Sequence, residues 1–339
     1  MVVTLRNVLF TCLVFAFIFV LIAIFSLSLG TADIGLMRIL SGIFESLSGS
    51  LCGWNDTQRV IILHVRLPRI ILAGIVGGSL SIAGVVFQAL FRNPLADPYI
   101  LGISSGSAVG AILAILLGAQ LSFLSIPAAS FSGALVTILL VLGITKSGYG
   151  SHPNTLLLCG VIVGAFFSAV IMFLVSITQD ERVHTILFWL MGDLSLSRYR
   201  EIIVITPFVM IGSFIIYLYA HPLNLISTGE ETALQLGIEV ERVKRLLLIT
   251  ASLITGVVVS VSGVIGFVGL IVPHMMRMIF GSDHRILLPA SGLFGLSFLV
   301  IADTIARTVI APIELPVGVV TAIFGAPFFI YLLRKKGLG

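Results

Sequence analysis

Arg66-Leu67-Pro68-Arg69 places two guanidiniums on either side of a proline, and a guanidinium is the side chain best shaped to grip a carboxylate through two bonds. Proline is tolerated in the first turn of a helix, so the segment reads as the start of an apolar helix crowned by two arginines. Two readings follow: the arginines snorkel to lipid headgroups, or they present forks to the carboxylates of another protein. Arg307 would extend the same patch, and Asp303, one helical turn before it, is spaced to pair with it. A second candidate lies in Ser227-Thr228-Gly229-Glu230-Glu231-Thr232-Ala233-Leu234-Gln235-Leu236-Gly237. Ser227 or Thr228 followed by Glu230 and Glu231 predicts a helix start, and Gly237 its stop. Such a short helix either rests on headgroups or is a lever that a second protein grips. His274 follows Pro273 with no spaced ligand partners, so a structural role is expected, and Cys12, Cys52 and Cys159 show neither zinc nor disulfide spacing. Neither a nucleophile–base cluster nor a GxxxxGK[ST] phosphate loop is present, so no catalysis is expected of this chain.

The elements that position these residues follow from composition. Apolar residues make up 58% of the chain and charged residues 10%, with a mean hydropathy of +1.19, far from soluble usage, where about a quarter is charged. An all-α polytopic membrane protein is expected, a single transmembrane domain over 1–339. Runs of about 20 apolar residues predict spans at 8–29, 67–90, 99–118, 123–144, 155–177, 201–220, 244–263, 286–303 and 314–333, with a shorter tenth at 266–280. The first run is too long for a signal-peptide core and is expected to remain as a helix. An even count places both termini in the cytoplasm, beside Arg334, Lys335 and Lys336. All four lysines then lie inside, whereas Arg38, Arg59, Arg66, Arg69, Arg182, Arg198, Arg200 and Arg307 fall outside against the positive-inside rule. The small basic excess of +4 is scattered between apolar runs and suits anionic lipid, not nucleic acid. Glycines at four-residue spacing, such as Gly74/Gly78 and Gly102/Gly106/Gly110, predict faces of close helix packing. Between the second and third spans Asn93-Pro94-Leu95-Ala96-Asp97-Pro98 stops one helix and starts another, with Asp97 the expected N-cap. The glycines and Pro273 of 263–277 predict a short or broken helix facing protein.

Taken in order, Arg66-Leu67-Pro68-Arg69, Gln88, Asn93-Pro94-Leu95-Ala96-Asp97-Pro98, Trp189-Leu190-Met191-Gly192, Ala233-Leu234-Gln235-Leu236-Gly237, Gly266-Phe267-Val268-Gly269-Leu270-Ile271-Val272-Pro273-His274, Asp303, Arg307 and Leu315-Pro316-Val317-Gly318 resemble the FecCD-type permeases of type II ATP-binding-cassette (ABC) importers. That family imports iron-siderophores, haem and vitamin B12, and the resemblance covers almost the whole chain. It implies a B12 permease-like fold and a homodimer in the inner (cytoplasmic) membrane. It also implies two cytoplasmic ATPase subunits that use ATP and magnesium, an extracytoplasmic substrate-binding protein, and no cofactor on this chain.

The resemblance assigns roles residue by residue. Arg66, Arg69 and Arg307 match positions that dock the binding protein, and Asn93 and Leu95 match the inner gate. The second gate element, small hydroxyl residues in the B12 permease, is replaced here by Pro153-Asn154, and the outer gate falls at Thr178-Gln179-Asp180. Glu230, Glu231, Ala233, Leu234, Leu236 and Gly237, within a coupling segment of about 221–242, match the helix held by each ATPase. The alternative class, an ion-coupled secondary transporter, needs intramembrane carboxylates or histidines as relays, and Asp303 is the main candidate.

Overall fold

A computed structural model describes residues 4–30, 32, 34–47, 54–118, 125–146, 153–178 and 180–336. The chain begins with α1 (Leu5–Ser28), α2 (Leu36–Leu47) and α3 (Asp56–Val60), then passes through a π-helical stretch (Ile61–Arg66) into α4 (Leu67–Leu90). It continues through α5 (Ile103–Leu116), α6 (Ser125–Lys146), α7 (Pro153–Ser176), α8 (Asp180–Leu190) and α9 (Tyr199–Leu218). Two short helices, α10 (Ala220–Thr228) and α11 (Glu230–Gln235), precede α12 (Val240–Ser262), α13 (Val268–Phe280), α14 (His284–Ala306) and α15 (Val317–Lys336).

Among the described residues seven helical stretches are long and apolar enough to cross a membrane, and Ile103–Leu116, Val268–Phe280 and Val317–Tyr331 are shorter apolar helices. These correspond one for one with the ten expected spans. The elements that apolar runs did not announce are α2, α3 with the π-helical stretch, α8 and α10.

Burial orders the bundle. In α4 83% of the most apolar window is buried, against 11% in α1 and 17% in α7. A helix apolar all round is a central one, and α4 packs chiefly against α14, α12 and α13. Glycine makes these contacts possible. A Cβ on Gly77 would lie 2.2 Å from the Gly295 carbonyl oxygen, and one on Gly84 would lie 1.9 Å from that of Gly269. The obstacle in both cases is backbone, which cannot rotate aside, so α4 meets α14 and α13 at a distance no other residue permits.

The helix expected to begin at Arg66 in fact begins at Asp56. Asn55 caps α3 in a reciprocal box with Gln58, and the helical path then runs unbroken into α4. Pro68 therefore stands inside a continuous helical run. Its ring has no N–H for the carbonyl four residues back, and the ladder just upstream slackens to π spacing, with Leu67 N–H donating to Ile62 O.

Candidate functional site

The functional candidates gather at two ends of α4, about 35 Å apart for a helix of this length. At its N-terminal end Arg66, Arg69 and Arg307 come together, but each is only 4–5% exposed. Their donors turn inward. Arg66 Nη1 donates to Leu27 O at 2.6 Å and Nη2 to Ala32 O at 2.5 Å. Arg307 Nη1 donates to Leu29 O at 2.8 Å, and Nη2 to the carbonyl and hydroxyl oxygens of Ser26.

The last carbonyls of a helix have no intrahelical donors and carry the negative end of its dipole. The last turn of α1 contains no basic residue. Arg66 and Arg307 supply that charge from α4 and α14, fastening the end of α1 to the core. Arg69 does different work: its Nε bridges both oxygens of Asp303 at 3.0 Å and its Nη1 meets Glu314 at 2.6 Å. Asp303 thus has Arg69 as its near partner. The expected pair with Arg307 is the longer one, 3.9 Å. Arg66, Arg69 and Arg307 are thus committed to partners within the protein, whereas Arg38, Arg59, Arg182, Arg198 and Arg200, expected on the same side, are exposed and still run against the charge rule.

At the other end, α4 stops and the loop 91–102 turns through Arg92, whose φ of +47° is left-handed and uncommon outside glycine. Asn93 Oδ1 accepts from Leu95 N at 2.9 Å and Asn93 O from Ala96 N at 3.0 Å, a tight turn that leaves Leu95 43% exposed. Asp97 is not the N-cap of α5; Gly102 holds that position with φ +76°. The Asp97 carboxylate instead accepts from Tyr99 N at 2.9 Å, while burial pushes that carboxyl up to about 6. Tyr99 Oη donates to Ile265 O at 2.9 Å, tying the loop to the link between α12 and α13. Gln88 accepts from Arg277 at 2.9 Å and donates to Leu270 O at 3.2 Å, which fixes α13 to the end of α4.

The polar segment 221–242 holds not one short helix but two, α10 and α11, before α12 begins at Val240. Ser227 and Thr228 belong to α10, and Gly229, in an extended conformation, begins α11. The stop is as expected: Gly237 has φ +82°, its N–H donates to Leu234 O at 3.0 Å, and Ile238 N donates to Ala233 O at 3.0 Å. The segment divides by face. Ala233 is fully buried, whereas Leu234 and Leu236 are 59% and 60% exposed, with Glu231 and Gly237 also outward. Glu230 turns inward, its Oε1 3.4 Å from Arg92 Nη2 and its Oε2 2.6 Å from Lys244 Nζ. Arg92, Lys244 and Glu314 are partners that sequence reasoning missed. The one available signal was helical spacing: Lys244 falls on the same face of α12 as Val240, Val243 and Leu247, whereas Glu241, Arg242 and Arg245 do not.

Of the remaining gate candidates, Asn154 is exposed in the first turn of α7, Pro153 opens that helix, and Gln179 lies outside the described residues. α10 is joined to α14 through Asn224, whose amide donates to Asp283 Oδ1 and whose oxygen accepts from His284 N, both at 2.8 Å.

A bundle of about ten apolar helices, seven of them among the described residues long enough to cross a membrane, defines a polytopic membrane protein. Residues 18–335 match the FecCD transport family, and the chain belongs to it. It is therefore a permease subunit of an ABC importer, not its ATPase. The chain is 48% identical over 285 residues to the cobalamin import permease BtuC of Halobacterium salinarum, covering 84% of this chain and 76% of that one. It is 39% identical over 322 residues to the hemin transport permease HmuU of Yersinia pestis, covering 94% and 95%. An inward-facing metal-chelate type ABC transporter superposes with a TM-score of 0.84 at 32% identity, covering 96% of this chain and 98% of that one.

Proposed function

We propose that this chain forms, with a second copy of itself, the translocation pore of an importer for a metal chelate of the siderophore, haem or corrinoid kind. The observation that carries the reading is α11: a capped, polar-flanked helix that anchors itself by Ala233 and shows Leu234 and Leu236 to its surroundings. Two cytoplasmic ATPase subunits would bind that face, and α11 and, with an even number of spans, both termini would then lie on the cytoplasmic side of the inner membrane. The relatives' named substrates, cobalamin and hemin, support a bulky chelate. The inner gate would be built from Asn93 and Leu95 with Pro153 and Asn154, and the outer gate would lie at Thr178, Gln179 and Asp180.

A substrate-binding protein would dock at the opposite end. Because Arg66, Arg69 and Arg307 are buried, the docking surface there is one they build by holding α1, α4 and α14 together, with the Glu314 side chain at its rim. Electrostatics at such a rim set encounter rate and register more than raw affinity. The test is capture of the cognate binding protein by the complete complex in nanodiscs. Glu314→Trp is expected to weaken capture at least tenfold with the ATPase still bound; unchanged capture would contradict docking at this end.

A further inference from the structure

We propose that Arg92, Glu230 and Lys244 form the link through which movement of α11 reaches the gate loop. The inference rests on the permease reading above and adds residues that reading does not assign. Its basis is the position of one carboxylate. Glu230, the first residue of α11, divides its two oxygens between two elements: Oε1 faces Arg92 Nη2 at 3.4 Å and Oε2 faces Lys244 Nζ at 2.6 Å. Arg92 Nη2 also donates to Ile226 O at 3.0 Å, in the last turn of α10. One guanidinium therefore spans the junction of α10 and α11, joining a carbonyl at the negative end of one helix to an acidic side chain at the start of the next.

The covalent position of Arg92 gives this contact its consequence. It directly precedes Asn93, whose side chain holds the turn that presents Leu95. Its left-handed φ of +47° is a conformation that an arginine adopts only when its surroundings fix it. Any displacement of α11 that carries Glu230 pulls on Arg92 and so on the turn beside it. Lys244 gives the opposite constraint. It is 8% exposed, near the start of the long α12, and a buried ammonium holds its partner because the alternative is an unpaired buried charge. Glu230 thus pivots between a fixed helix and a loop that can move.

The test uses the full complex with its ATPase, with Cys12, Cys52 and Cys159 replaced by serine and a nitroxide on Leu95→Cys, reading the distance between the two copies with and without ATP and vanadate. In the otherwise unchanged protein the distance is expected to shift on nucleotide binding. Arg92→Gln should reduce the shift by half or more, and Arg92→Lys should keep most of it, since it retains the charge facing Glu230. Arg92 is outside the α11 face proposed to meet the ATPase, so co-purification of the ATPase is the control for folding. A shift in Arg92→Gln and in Glu230→Gln equal to that of the parent would overturn the link alone. A parent that shows no nucleotide-dependent shift would overturn the permease reading and the link with it.

Discussion

Replacing Leu234 and Leu236 together by aspartate is expected to abolish co-purification of the ATPase while leaving the membrane domain folded. Both side chains are more than half exposed, so neither contributes to the core of this chain, and Ala233 and the glycine stop at Gly237 still hold α11 in place. Burying a leucine fully against a partner is worth about 1.5–3 kcal/mol. Aspartate would replace that gain with the cost of desolvating a charge, so the pair together should weaken association by about a hundredfold or more. Pull-down of a tagged ATPase with the solubilised permease measures it, and retention equal to the parent would show that the exposed leucines face lipid headgroups instead.

Asp303→Ala is expected to be among the most destabilising single changes in the protein. Asp303 is 1% exposed and accepts two bonds from Arg69 Nε, with Arg307 a further cation at 3.9 Å. Its removal leaves two buried guanidiniums short of counter-charge, and breaking a buried pair in this way costs about 3–5 kcal/mol. The expected readout is a thermal transition in detergent several degrees lower, together with reduced yield in the membrane fraction. Asp303→Asn, which keeps an acceptor for Arg69, should fall between. An Asp303→Ala protein that melts with the parent would mean that Glu314 alone balances the cluster.

Much of this was legible in the sequence, and the misses share a cause. All ten apolar helices were found, nine of them within a few residues at both ends, because a span is fixed by a local property, the length of an apolar run. The helical start at Asp56 was missed although Asn55 and Gln58 spell a capping box, since Arg59, His64 and Arg66 break the apolar pattern. That the three arginines would meet was readable from the expected spans, which bring Arg307 to the same end of the bundle as Arg66 and Arg69. That Arg66 and Arg307 would face inward was not: their acceptors are chiefly main-chain carbonyls at and just beyond the end of α1, up to 281 residues away, which carry no side-chain signature, whereas Arg69 turns to the carboxylates of Asp303 and Glu314. The same holds for Glu230. Its role was assigned from its place on a polar helix, yet its direction was decided by Arg92 and Lys244, one on a loop and one on another helix. Gly237 was read correctly because a helix stop is again local.

The most direct measurement is uptake of ferric siderophore, hemin or cobalamin into proteoliposomes that contain this chain, its ATPase and its binding protein, with ATP supplied to the α11 side. The expected result is accumulation of one of these chelates that requires hydrolysable ATP and disappears with a hydrolysis-dead ATPase. Accumulation driven by an ion gradient through this chain alone, with no ATPase present, would contradict it.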